Sequence, residues 1–169
     1  YGANNNHQVT SAGGYNLAYD ANGNVTTLIG NGADKTLSYQ PFNLPSLIQA
    51  ETNTTLSYLY DGAHARIKET VQIGTAISST YYLGGFEVHT RSDGVVEERH
   101  YLSGAEGAIG IHTRRSNALH DTRYWFKDHL GSIVAISDQD GSVKGRYAYD
   151  PWGKRSTSFN ADPTAEERG

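Results

Sequence analysis

One short unit recurs along this 169-residue chain: apolar and polar residues alternate up to a Tyr-Asp step, and the chain then turns. In YNLAYDANGNVTTL, Tyr15, Leu17 and Tyr19 alternate, Asp20 follows, Asn22-Gly23 makes the turn and Val25 resumes the alternation. The unit returns in LSYLYDGAHARIKETV, with Leu56, Tyr58, Tyr60, Asp61-Gly62 and Ile67, and in GRYAYDPWGKR, with Tyr147, Tyr149, Asp150, Pro151 and Gly153. KTLSYQPFNLPSLI aligns Leu37, Tyr39 and Leu44 to the same frame with Gln40 in place of Asp, a degenerate copy. Anchored on Tyr19, Tyr39, Tyr60, Tyr82, Tyr101, Tyr124 and Tyr149, the period is roughly 20 to 25 residues, within the range of repeat arrays.

A period of two puts alternate side chains on one face of a strand, and an Asp carboxylate accepts hydrogen bonds from N–H groups two residues on. Each unit therefore reads as a β-hairpin, with Gly23 and Gly153 supplying positive φ after Asn22 and Pro151. Two further hairpins carry Asp-Gly turns: Phe86–Thr90 with Val95–Tyr101 around Arg91-Ser92-Asp93-Gly94, and Ile133–Ile136 with Val143–Tyr147 around Asp138–Gly141. Helical periodicity is nearly absent, and only Pro163 to Arg168 suits a short helical turn. The fold expected is all-β, antiparallel hairpin repeats forming a curved sheet strip. Residues 1–102 read as repeat hairpins, 103–123 as a loop-rich connection, 124–155 as a further hairpin block and 156–169 as a polar tail. Ser103 to Asp121 is expected to be a long loop. Gly74 with Ser78-Ser79-Thr80 marks another break, and Asn4 to Asn6 begin a frayed terminus.

Composition narrows the function classes. Apolar residues make up 37%, against about 45–50% ordinarily, and Tyr (12) outnumbers Phe (4). That balance suits half-buried strands whose phenols reach water or a carbonyl. A net charge of −4 with both signs interspersed argues against a nucleic-acid partner. There is no Cys, hence no disulfide framework or thiolate metal site. The sequence shows neither a signal-peptide pattern nor an apolar run long enough to cross a bilayer. The lack of Met and the polar tail read as a piece of a longer chain.

The Tyr-Asp units resemble YD repeats. The block Tyr124 to Arg155 closely resembles the core region of Rhs proteins and of the C component of insecticidal toxin complexes: it holds Asp128-His129-Leu130-Gly131-Ser132, then Asp140-Gly141, then Tyr149-Asp150-Pro151-Trp152-Gly153 in the family's order. The resemblance covers nearly the whole chain. It implies a shell wall wound from an antiparallel strip around a C-terminal toxic passenger, a secreted or bacterial-surface setting, and as partners the rest of the parent chain, that passenger and a second toxin-complex component. The family's aspartate-dependent self-cleavage role is not carried to Asp150, which stands in the earlier tyrosine-rich frame.

The candidate chemistry is thin. Adjacent strand residues face opposite ways, so Asp128 and His129 make a poor acid–base dyad; Asp128 is expected to order its turn. His112, His120 and Asp121 lack metal-ligand spacing, and Asp138 to Asp140 lack the downstream Glu of a calcium loop. Gly84-Gly85 reads as a bulge or tight bend, and Arg114-Arg115 as solvated charges or a contact for an acidic partner. No catalytic, cofactor or metal site is expected. The rival reading is an adhesion or carbohydrate-binding module using Tyr58, Tyr60, Tyr81, Tyr82 and Trp152. Unpaired strand edges predict self-association of the isolated chain.

Overall fold

The structure, a computed structural model, describes residues 8–30, 32, 34–50, 53–105 and 107–156. Asn4 to Asn6 and the short helical turn expected at Pro163 to Arg168 lie outside them. Among the described residues the chain is all-β, with no helix, in two compact units that meet in sequence at Val96 and Glu97.

The first unit is a meander of β1 (Ser11–Ala12), β2 (Tyr15–Tyr19), β3 (Val25–Gly30), β4 (Lys35–Tyr39), β5 (Pro45–Ala50), β6 (Thr54–Tyr60), β7 (Arg66–Ile73), β8 (Ala76–Tyr82) and β9 (Phe86–Thr90). Each strand pairs antiparallel with its neighbour in sequence. Register separates two faces. Leu37, Ile48, Leu56 and Val71 form one cross-strand row, while Ser38, Leu47, Ser57, Thr70, Ser79 and Thr90 form a largely hydroxyl row on the other. The apolar row is only half-buried.

The second unit holds β10 (Val96–Gly104, all but its first residue), β11 (Gly107–Arg115), β12 (His120–Lys127), β13 (Ile133–Asp138) and β14 (Val143–Arg146), again paired in sequence order. A small hairpin of β15 (Ala148–Tyr149) and β16 (Arg155–Ser156) follows. The chain's buried apolar side chains, among the described residues, are Ile111 and Ile136, both in this unit.

The long loop expected from Ser103 to Asp121 is absent. That stretch finishes β10, forms β11 and starts β12. Its glycines misled because one of them is a packing device: a Cβ on Gly110 would collide with the carbonyl oxygen of Arg123 on β12, so the close strand approach requires glycine. Ser78-Ser79-Thr80, read as a break, lies within β8, whereas Gly74 does sit in the turn between β7 and β8 with φ of 59°. Gly84-Gly85 is a tight bend, closed by the Leu83 N–H donating to the Phe86 carbonyl at 2.8 Å.

Candidate functional site: a stapled ladder of hairpin turns

The repeat unit resolves into two linked devices. The first is a five-residue turn. The N–H of residue one donates to the carbonyl of residue five, and the N–H of residue four donates to the carbonyl of residue one, at 20–24, 40–44, 61–65, 91–95, 115–119, 128–132, 138–142 and 150–154. Residue four takes positive φ: Gly23, Asn43, His64, Gly94, Ala118, Gly131, Gly141 and Gly153. This is a type I turn with a glycine-type bulge. Register shifts fall beside several of the turns, as at Ala18/Tyr19, Ser38/Tyr39 and Leu59/Tyr60.

In four of these turns the opening Asp carboxylate accepts two backbone N–H groups through one oxygen. Asp20 takes those of Asn22 and Asn24, Asp61 those of Ala63 and Ala65, Asp128 those of Leu130 and Ser132, and Asp150 those of Trp152 and Lys154, all at 2.9 Å. The Asn24 side-chain amide, with the backbone N–H groups of Asn24, Asn22 and Gly23, holds the Asp20 carboxyl below its ordinary range against desolvation. At Asp128, desolvation pushes the carboxyl up but is outweighed by the N–H groups of Ser132 and Leu130. Asp128 thus orders its turn as expected. His129 sits in that turn rather than on a strand, exposed.

The second device is the tyrosine before the turn, followed by Asp at Tyr19, Tyr60 and Tyr149 and by Gln40 at Tyr39. Tyr39 donates its hydroxyl to the Val25 carbonyl at 2.8 Å, Tyr60 to that of Pro45 at 2.7 Å and Tyr149 to that of Ile133 at 2.8 Å. Each acceptor is the first residue past the five-residue turn of an earlier hairpin. Tyr19 also donates its hydroxyl to a main-chain carbonyl, that of Val9, at 2.7 Å. A YD dipeptide therefore does two jobs: Asp closes its own turn while Tyr staples it to a preceding segment. Side chains extend the ladder, since the Asn24 amide donates to the Asn43 side-chain oxygen at 2.9 Å and Phe42 stacks on His64 with centroids 4.0 Å apart.

One sequence assignment changes, and one turn has an unexpected left-handed residue. In the turn that opens at Asp61, the left-handed residue is His64, with φ of 64°, rather than a glycine. Tyr101 and Tyr124, counted as anchors, lie inside β10 and β12; the residue before Asp128 is Lys127, and the repeat frame lapses there.

The second unit carries a charge ladder that the sequence reading missed. On one face, Glu97 (3% exposed) accepts from Arg99 at 2.7 Å and from Arg115 at 3.0 Å; Arg115 also pairs with Asp121, which accepts from Arg123 at 3.0 Å. The pairs run across β10, β11 and β12. The Lys144 ammonium donates to Asp138 at 2.9 Å and, with the Gln139 N–H, holds that carboxyl below its ordinary range. Arg114 meets Glu98 at 3.3 Å, so the Arg114-Arg115 pair finds its acidic partners within this chain. Asp121 is engaged by arginines on one face, while the His112 Nδ1 is bonded to the Thr122 hydroxyl at 2.8 Å.

The aromatics proposed for ligand stacking divide. Tyr58 and Tyr60 line a cavity of about 330 Å³ with Leu44, Pro45, Ile48, His64 and Arg66. The Arg66 guanidinium sits over the Tyr58 and Tyr82 rings at 4.9 and 5.7 Å. Desolvation and the nearby Glu69 push both phenols up, so they remain protonated donors at neutral pH. Tyr81 occupies the opposite face under the Lys68 ammonium. Trp152 stands 89% exposed in the turn of the β15–β16 hairpin.

No family profile matches the chain. In sequence it is similar to the tRNA3(Ser)-specific nuclease WapA of Bacillus spizizenii, 27% identical over 163 residues, and to the tRNA nuclease WapA of Bacillus subtilis, 27% identical over 159 residues. Each match covers 94% of this chain but 6% of the relative. In fold it is similar to the TcdB2-TccC3 crystal structure, with a TM-score of 0.68, 17% identity, and coverage of 89% of this chain and 8% of that one. The Photorhabdus luminescens Tc holotoxin pore gives a TM-score of 0.66 at 16% identity, covering 81% and 7%. The resemblance to the Rhs and YD-repeat family, carried by the residues, thus has a counterpart in the fold. Among the described residues no helix is long and apolar enough to cross a membrane.

Proposed function

We propose that this chain is a structural segment of an Rhs or toxin-complex-type polymorphic toxin, supplying strands to a shell that shelters a C-terminal effector. The observation that carries the reading is the stapled turn ladder. Through Tyr39, Tyr60 and Tyr149 it fixes hairpins to earlier ones by main-chain acceptors, and it commits these Tyr and the turn-opening Asp side chains to holding backbone rather than to binding or proton transfer. Its role is architectural, not enzymatic. The nuclease activity named for the WapA relatives then belongs, in a protein built this way, to a different segment, since this chain spans 6% of their length. A secreted or cell-surface setting follows from the same reading.

The test is mass spectrometry of the full-length parent protein after purification. A C-terminal polypeptide that is cleaved yet retained with the repeat region is the result expected. An intact chain with no downstream segment would remove the passenger. Surface binding would then become the better reading, and the cavity walled by Tyr58 and Tyr60 supplies its site. That alternative requires glycan-array binding that Tyr58→Ala abolishes.

A further inference from the structure

A cavity in the first unit and an exposed ring in the second are complementary in size, charge and hydrogen bonding. The cavity, about 330 Å³, has an aliphatic wall of Leu44, Pro45 and Ile48 and a polar one of Tyr58, Tyr60, His64 and Arg66. It lies at the low end of the range of about 300–1,000 Å³ that ligand pockets span, which suits a single ring. Its charge is balanced, because the Arg66 guanidinium pairs with Glu69 at 2.9 Å. The Tyr60 hydroxyl is committed to the Pro45 carbonyl, whereas the Tyr58 hydroxyl has no hydrogen-bond partner among the described residues. An uncharged aromatic ring with one hydrogen-bonding group matches these walls.

Two of the cavity's residues already hold such a ring. Phe42, the third residue of the 40–44 turn, lies flat on His64 with centroids 4.0 Å apart and edge-on to Tyr60 at 5.5 Å. Among the five-residue turns, the third residue is aromatic in one other, the 150–154 turn, where it is Trp152. Trp152 stands 89% exposed. Its turn is fixed by the Asp150 carboxylate, which accepts the Trp152 and Lys154 N–H groups at 2.9 Å, and by Pro151, whose ring restricts φ. The indole is thus carried on a rigid support, which lowers the ordering cost of inserting it into a partner. Its ring N–H is a donor, and the Tyr58 hydroxyl can accept.

We propose that the cavity is a docking site for Trp152 of a second copy of this chain. The indole packs against the wall of Leu44, Pro45 and Ile48 and donates its N–H to the Tyr58 hydroxyl. Ring and cavity are different patches of surface, so the contact is heterologous. One ring buries about 150–250 Å², well below the roughly 1,200 Å² of a stable interface, so the association is weak and grows with concentration. It pairs no strand edges, and it stands or falls independently of the shell reading, because both halves of the contact lie in this chain.

Sedimentation velocity of the full chain over a concentration series, with two variants, tests the pairing. Trp152→Ala removes the ring and leaves the cavity; Ile48→Phe fills the cavity and leaves the ring. The unaltered chain is expected to associate as concentration rises and each variant alone to stay monomeric. An equimolar mixture of the two variants should form a one-to-one pair, since each supplies the half the other lacks. Tyr58→Phe, which deletes only the hydroxyl, should weaken association several-fold, and N-acetyltryptophanamide should compete. A chain that stays monomeric throughout, a mixture that stays monomeric, or association that survives Trp152→Ala, as paired strand edges would give, overturns the proposal. Displacement by N-acetylglucosamine in place of N-acetyltryptophanamide would assign the cavity to glycans and overturn it too. Should Ile48→Phe fail to fold, methyl NMR of the Trp152→Ala chain replaces it: N-acetyltryptophanamide must shift the Leu44 and Ile48 methyl resonances, and unmoved methyls refute the site.

Discussion

The two units are built from the same five-residue turns yet hold their strands together laterally by different means. In the first, Leu37, Ile48, Leu56 and Val71 line up across strands but remain half-buried, and tyrosine hydroxyls anchor one hairpin to another. In the second, Tyr149 adds one such staple, but Ile136 is fully buried and Ile111 nearly so, and a desolvated carboxylate bridges two arginines. A single-layer meander with little interior depends on repeated main-chain acceptors, each worth about 1 kcal/mol. A meander with even a small interior can concentrate stability in a few side chains, and then losing one of them is severe.

The largest effect should come from Glu97→Ala, which leaves Arg99 and Arg115 facing each other at a buried position. Breaking a buried ion network from one side costs about 3–5 kcal/mol, and urea unfolding followed by probes in β10–β12 should show it. Next, Ile136→Ala is expected to cost about 3 kcal/mol, whereas Leu56→Ala, its half-buried counterpart in the first unit, should cost closer to about 1 kcal/mol. Equal losses in the same denaturation experiment would erase the contrast between the units. Tyr60→Phe should remove about 1 kcal/mol and raise amide exchange locally, at the 40–44 turn that the hydroxyl fastens.

The smallest effect is the response of the turns to acid. The Asp20 and Asp128 carboxyls are depressed in the folded chain. Their contribution is therefore present above the ordinary carboxylate value of about 3.9 and is lost as pH falls through the lowered folded values. Exchange at the Leu130 and Ser132 amides should accelerate only below about pH 4. Acceleration already at pH 6 would show that these turns are not held by their Asp side chains.

The alternation at Tyr15, Leu17 and Tyr19, the Asp-led turns and the Asp-Gly hairpins at 93–94 and 140–141 were legible because each is set by contacts within a few residues. Period two and turn chemistry are local, so the sequence alone determined an antiparallel hairpin array and the left-handed Gly23 and Gly153 positions required by its turns. The Tyr hydroxyl acceptors lie 14 to 16 residues away at Tyr39, Tyr60 and Tyr149. Glu97 and Arg115 stand 18 apart, and Gly110 is glycine because of the backbone at Arg123 on the next strand. Only the tertiary structure decided these, because strand register brings together residues whose spacing carries no periodic signal.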